Sequence, residues 1–166
     1  MTRAEYSSIT PSDAQVALRS YPRRYAALLG EPGTEIAESA AQQLGPDGVS
    51  ALELAIDSIR TWTLLGRALH QIELTESPVL HPAVADPELR HWDQPTREDI
   101  LSVNEQISDG AVELADTIAS MHGGRWSRTG ITAGGGSITA MSIVQEAVRV
   151  GADNLRRIER TLAALR

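Results

Sequence analysis

Apolar residues recur at spacings of three and four in four stretches of the chain, which predicts helices that each bury one face. The first helix is predicted to begin behind Thr10 as N-cap, with Pro11 at the first helical position, where its missing amide hydrogen costs nothing. We expect Pro22 to kink or restart this helix, and Gly30 to end it after Leu29.

The second long helix has the clearest start signal. Ser50 is a favourable N-cap, and Glu53 stands three residues later, which completes a capping box. This helix is predicted to extend to Ile72. Before it, residues 31–48 are expected to form a loop that holds one helical turn around residues 35–44.

A long connection separates the second helix from the third. Residues 73–95 contain four prolines and no sustained period, and a connection of this length is often a functional lid or a binding loop. The third helix is predicted over residues 100–121, stopped by His122-Gly123-Gly124. Residues 133–137 form a glycine-rich link to the last helix, for which Thr139 is the predicted cap.

These elements predict an all-α fold, a four-helix bundle with long connecting loops and no strand pair. A length of 166 residues with 42% hydrophobic residues suits one domain over residues 1–166, with residues 1–9 as a flexible tail. Because Phe is absent and aromatic residues make up only 4%, we expect a core of Leu, Ile, Val and Ala. Exposed apolar helix surface is expected to form a homodimer.

Composition excludes several kinds of chemistry. All 15 basic residues are Arg, so neither a Schiff-base lysine nor the lysine of a P-loop exists here. Cys is absent, which excludes a thiol nucleophile and a thiolate metal site. The formal net charge of −7 argues against nucleic acid as a partner. No segment reads as a signal peptide or is apolar for long enough to enter a membrane, so we expect a cytoplasmic protein.

Three segments carry a family resemblance. They are Leu18-Arg19-Ser20-Tyr21-Pro22-Arg23-Arg24-Tyr25 in the first helix, Gly45-Pro46-Asp47-Gly48-Val49-Ser50-Ala51-Leu52-Glu53 at the start of the second, and Trp126-Ser127-Arg128-Thr129-Gly130 before the fourth. Together they resemble the DinB-like superfamily of helical bundles. The likeness is to the actinobacterial branch that includes mycothiol-dependent transferases and the maleylpyruvate isomerase N-terminal domain, and it spans most of the chain.

The resemblance implies a metal site whose usual ligands are changed here. Family members commonly bind a divalent metal through a His of the second helix and, in the fourth, a His or Glu followed four residues later by a His. In this chain those positions correspond to Asp57, Glu146 and Val150. Val150 offers no electron pair to a metal, and two ligands four residues apart are what allow one helix face to share an ion. We therefore expect no bound metal and no other cofactor.

The residues around Glu146 allow three arrangements. In the first, Arg149 pairs with Glu146 and Asp153 in a row of exposed ion pairs, which Arg157 continues; Glu146 lies roughly 40° outside the apolar arc of its helix. In the second, Arg149 turns inward, and its guanidinium replaces the lost cation as the partner of Asp57 and Glu146. In the third, Asp57, Glu146 and Asp153 hold a divalent metal, for which hydrated Mg²⁺ suits the oxygen ligands best.

Further candidates lie in the long connection and among the scarce aromatic residues. His91 is a candidate general base near neutral pH, and Trp92 stands beside it. A flat organic ligand would be expected to meet one of the large rings of Tyr25, Trp62, Trp92 or Trp126. The plainer interpretations are a solvated loop histidine beside an anchoring Trp92, and core filling by Trp62.

The leading functional hypothesis is a protein that binds a small organic molecule, or acts on it without a metal, in a pocket between the helices. Its candidate catalytic residues are Asp57, Glu146, Arg149 and His91, and Val150 belongs to the same inherited pocket. One alternative is a metal-dependent S-transferase or isomerase that uses a low-molecular-weight thiol. The other is a bundle with a purely structural or regulatory role.

Overall fold

The computed structural model describes residues 6–90 and 98–165, and this part of the chain is mostly helical, as predicted. Its α-helices are α1 (Pro11–Leu29), α2 (Glu35–Gln42), α3 (Ala51–Leu74), α4 (Pro82–Ala85), α5 (Ile100–Ser120) and α6 (Ala140–Ala164), and its strands are β1 (Thr129–Ile131) and β2 (Ser137–Thr139). Short 3₁₀ helices lie at Pro87–Leu89, after α4, and at Gly123–Ser127, after α5.

The predicted caps begin the helices at the predicted positions. The Thr10 and Ser50 side chains each accept a hydrogen bond from the backbone three residues on, and both capping boxes are closed. Thr139 accepts from the backbone nitrogen of Ser142 at 3.0 Å at the start of α6. These starts were predictable because capping depends only on neighbours in sequence.

Helix α1 continues through Pro22 without a break, so a restart of the helix at this proline is wrong. The helix is held to α6 on both sides of the proline: the Tyr21 hydroxyl donates to the Val148 carbonyl at 2.7 Å, and the Tyr25 hydroxyl donates to the Gly151 carbonyl at 3.0 Å. Tertiary contacts thus offset the hydrogen bond that proline cannot make.

The four long helices enclose one core. Helix α1 packs against α5 and α6, and α3 packs against the same two helices, so α1 and α3 occupy opposite corners. The centre of the core differs from the aliphatic filling that we expected. Its largest fully buried side chains are Trp62, Tyr21 and Tyr25, because their polar atoms find backbone partners on α6.

A β-hairpin precedes α6, where no strand pair was predicted. Strand β1 pairs antiparallel with β2, with Thr129 opposite Thr139. A Cβ atom at Gly130 would lie only 2.4 Å from Leu80, so the hairpin passes directly over the start of the segment that follows α3. The Leu80 amide donates to the Ile131 carbonyl at 2.9 Å. We refer to residues 80–90 as the covering segment.

Residues 6–9 of the predicted flexible tail lie against the bundle. Tyr6 is buried in the core cluster, and its hydroxyl accepts from Arg156 at 3.3 Å. Gln145 donates to the Ser7 carbonyl at 3.0 Å.

Over residues 6–90 and 98–165, none of the helices combines the length and the apolar character that a bilayer crossing requires.

Candidate functional site

A cavity of about 250 Å³ lies where the covering segment meets α3 and α6. Helix α3 contributes Asp57 and Thr61, and the covering segment contributes Pro87 and Arg90. The α6 wall is formed by Arg149, Val150, Asp153, Asn154 and Arg157. The structure thus brings together four residues that the sequence singled out, namely Asp57, Arg149, Val150 and Asp153.

A buried ion pair fastens the covering segment to α6. The Arg90 side chain, 6% exposed, donates from Nη1 to Oε1 of Glu146 at 2.8 Å. Arg90 Nε donates to the Ala83 carbonyl at 2.9 Å, and Nη2 donates to the Val84 carbonyl at 3.3 Å. The guanidinium therefore holds both its own segment and the helix beneath it.

Glu146 is buried, at 7% exposed, so the prediction that it belongs to a row of exposed ion pairs is wrong for this residue. The covering segment shields it, which the helical wheel of α6 alone could not reveal. Burial by itself would raise the pKa of Glu146. Hydrogen bonds and charge from Arg149, and then from Arg90, outweigh burial and hold the pKa below its usual value.

Arg149 makes the two ion pairs expected from its spacing. It contacts Glu146 through Nε and Nη2, both at 2.8 Å, and Asp153 through Nη1 at 2.7 Å. Its hydrogen bond to Glu146 is the main cause of its raised pKa. The inward arrangement is therefore realised toward Glu146.

The row does not continue as predicted beyond Asp153. The second carboxylate oxygen of Asp153 pairs with Arg156 rather than with Arg157. Arg157 is half-buried and lines the cavity, and it has no ion pair with the part of the chain that the structure describes.

Asp57 belongs to a polar chain that leads into the core. It accepts a hydrogen bond from Nδ2 of Asn154 at 2.7 Å, and the same amide donates to Ser58 at 2.9 Å. The Ser58 and Tyr25 hydroxyl oxygens lie 2.7 Å apart. Burial raises the pKa of Tyr25, so this hydroxyl stays protonated and acts as a structural donor.

Thr61 has an unusual environment. The residue belongs to the cavity wall but is only 1% exposed. Its hydroxyl oxygen has no hydrogen-bond partner within the described residues. Our sequence interpretation did not include it. The signal was its position four residues after Asp57, which puts both side chains on one face of α3.

The predicted aromatic residues do not gather at this cavity. Tyr25 and Trp62 are core residues, and Trp62 donates from Nε1 to the Ala147 carbonyl at 3.0 Å. Trp126 is half-buried and donates to the Met121 carbonyl at 3.1 Å. The predictions on His91 and Trp92 lie outside the described residues.

A second cavity, of about 390 Å³, lies between α3 and α5. Trp62 and Leu114 line it together with Gly66 and Gly110, and Arg67, His70 and Glu113 stand exposed around it. Among the described residues, no buried polar atom without a partner faces this cavity.

The acidic residues near α6 do not fit a metal ion. Arg149 stands between the carboxylates of Glu146 and Asp153, and its positive charge would repel a cation bound by both. Over the described ranges, no three His, Cys, Asp or Glu side chains form a cluster suited to a metal.

The cavity wall instead provides hydrogen-bond donors and the guanidinium of Arg157, which has no ion pair among the described residues. Comparison of the chain with protein-family models finds no match, and comparison with curated proteins finds none.

Proposed function

We propose that this protein binds a small organic molecule, without a metal ion, in the cavity between α3, α6 and the covering segment. The observation that supports it most is Thr61, a buried residue of the cavity wall whose hydroxyl has no hydrogen-bond partner among the described residues. Leaving such a group unsatisfied costs about 1–3 kcal/mol, so a ligand with a polar atom gains by pairing with it.

The resemblance to the DinB-like superfamily supports the same cavity. Asp57 and Val150, which correspond to two of the family's metal-ligand positions, both line it, and Glu146 at the third position holds Arg90. On this proposal, guanidinium groups have replaced the metal, and the inherited pocket remains. No observation favours the metal- and thiol-dependent transferase, because two of the three carboxylates that would hold the ion, those of Glu146 and Asp153, are paired with arginine.

The test is a thermal-shift titration of the full chain with benzoate, benzamide, cysteine and N-acetylcysteine. Thr61→Val removes the hydroxyl while keeping the shape of the side chain. Thr63→Val is the matched control, because Thr63 lies exposed on the same helix and bonds only to its own backbone, at Ile59. Neither substitution is expected to unfold the protein.

We expect at least one compound to raise Tm by about 5 to 10 °C at a hundredfold excess over its Kd, since binding only the native state stabilises it by about 2.7 kcal/mol. The shift should shrink in Thr61→Val and persist in Thr63→Val. If no compound shifts Tm, or if both variants respond like the native chain, the proposal is wrong. The structural or regulatory bundle would then be favoured.

A further inference from the structure

We propose that the ligand of this cavity is a small organic monoanion, a carboxylate, bound by the guanidinium of Arg157 with the Thr61 hydroxyl as a second donor. The inference rests on the proposed function and adds to it the chemical class of the ligand. Thr61, which sequence reasoning missed, and Arg157, which it assigned to a row of exposed ion pairs, would thereby both act in ligand binding.

Of the three arginines that line the cavity, two are paired with carboxylates. Arg90 is paired with Glu146, and Arg149 is shared between Glu146 and Asp153. Asp57 already accepts a hydrogen bond from Asn154. Arg157 lines the same cavity and pairs with no carboxylate in the described ranges, so its guanidinium is available to an anionic ligand.

A guanidinium matches a carboxylate better than other anions of similar size. Its planar fork gives two parallel hydrogen bonds to the two carboxylate oxygens, and such charge-assisted bonds are about twice as strong as neutral ones. The Thr61 hydroxyl can donate to the same group or to a neighbouring oxygen of the ligand. Val150 adds an apolar surface to the wall, which suits the organic part.

Charge and size limit the ligand further. The carboxylates of Asp57 and Asp153 line the same cavity, and they would repel the second negative charge of a phosphate or a dicarboxylate. The cavity volume of about 250 Å³ lies below the range of roughly 300–1,000 Å³ for drug-sized ligands. A compact acid with one carboxylate fits both conditions.

The test measures Kd by calorimetry on the full chain with four probes: benzoate, its neutral counterpart benzamide, the dianion succinate, and inorganic phosphate. Arg157→Gln removes the guanidinium. Arg160→Gln is the matched control, because Arg160 lies exposed one turn further along α6, makes the same change in net charge and does not line the cavity. Arg157→Lys keeps the charge and loses the fork.

We expect benzoate to bind at least about tenfold more tightly than benzamide, succinate or phosphate, because a hydrogen bond to a charged group is worth that factor or more. Arg157→Gln should weaken benzoate binding about tenfold, Arg157→Lys should weaken it less, and Arg160→Gln should leave it unchanged. Circular dichroism and Tm of each unliganded variant establish that it is folded.

Three outcomes would overturn the inference. Equal loss in Arg157→Gln and Arg160→Gln would mean that only net charge matters, and phosphate bound as tightly as benzoate would mean that the site does not select a carboxylate. If benzamide binds as tightly as benzoate, and its affinity depends on Thr61 but not on Arg157, the ligand need not be an anion. That result would overturn this inference and leave the proposed function intact. If none of the four probes binds, this inference is wrong. The proposed function is then decided by the thermal-shift results with cysteine and N-acetylcysteine.

Discussion

Arg90 and Glu146 are charged residues whose burial requires complete hydrogen bonding. Arg90 uses three of its nitrogens on Glu146 and on two carbonyls of its own segment. Glu146 receives donors from Arg90 and Arg149 on both oxygens. A buried pair of this kind adds little net stability compared with an apolar pair, yet removing one partner is costly because the other charge remains buried.

We therefore predict that Arg90→Met lowers the free energy of unfolding by about 3 kcal/mol, the low end for a broken buried pair because Arg149 still neutralises Glu146. Urea denaturation measures it. Arg19→Met is the control: Arg19 pairs with Asp116 at the surface, where the two side chains are 49% and 62% exposed. An exposed pair contributes no more than about 1 kcal/mol. Equal losses in the two variants would contradict a structural role for the Arg90 pair.

At the scale of elements, side chains of α1 and α3 pack directly against the backbone of α6 at Gly151. The Tyr21 and Trp62 rings stack with centroids 5.6 Å apart, and both donate to carbonyls of α6. A Cβ at Gly151 would lie 2.5 Å from Tyr21 and 2.8 Å from Trp62. The absence of a side chain in the middle of a helix is thus required by packing between elements.

We predict that Gly151→Ala destabilises the protein by about 1–3 kcal/mol, because the stacked rings must move apart. Gly66→Ala is the matched control, since Gly66 also lies inside a long helix and its Cβ would meet Leu114 at an ordinary 3.7 Å. That substitution should stabilise by about 0.5–1 kcal/mol through helix propensity alone. Thermal unfolding of both variants measures the difference, and a stabilising Gly151→Ala would show that the contact at α6 is looser than described.

For the whole molecule, the Glu146 carboxylate on α6 links the covering segment to the bundle, because it accepts a hydrogen bond from Arg90. Burial opposes ionisation of Glu146, but Arg149 and Arg90 lower its pKa below the usual value of 4.5. A group whose pKa is lower in the folded state stabilises that state fully above its unfolded pKa. The contribution is lost as the pH falls through the folded pKa.

We predict that acid lowers the stability of the native chain by protonating Glu146. Glu146→Gln has no carboxylate at this position and should not lose stability for this reason. At about pH 7 the variant should be the less stable protein, and the gap in unfolding free energy between the two should narrow as the pH falls below 4.5. Urea denaturation across this range measures the gap. Asp116→Asn, which removes the charge of an exposed pair with Arg19, should change the free energy of unfolding by no more than about 1 kcal/mol. A gap that widens in acid would reverse the sign argued here.

Particular residues show how far the sequence predicts the site. Asp57, Arg149, Val150 and Asp153 were identified beforehand and line one cavity. Asp153 shares a face of α6 with Arg149 and Val150, because residues three and four apart on a helix lie side by side, whereas Asp57 reaches the cavity because α3 packs against α6. Arg90 was missed, since it lies in a connection without any period. Thr61 was missed because a threonine within a helix has no distinctive pattern until the burial of its hydroxyl is known.

The sequence by itself determined the long helices and their caps, because a cap or an apolar stripe needs only neighbours within a few residues. It also determined what chemistry is excluded, since no Lys and no Cys are present. Only the tertiary structure decided that Pro22 stays within a helix, that a hairpin seats Leu80, and that Arg90 buries Glu146. Each of these depends on residues far apart in the chain, and the free energy of such contacts comes from burial and pairing that no local pattern encodes.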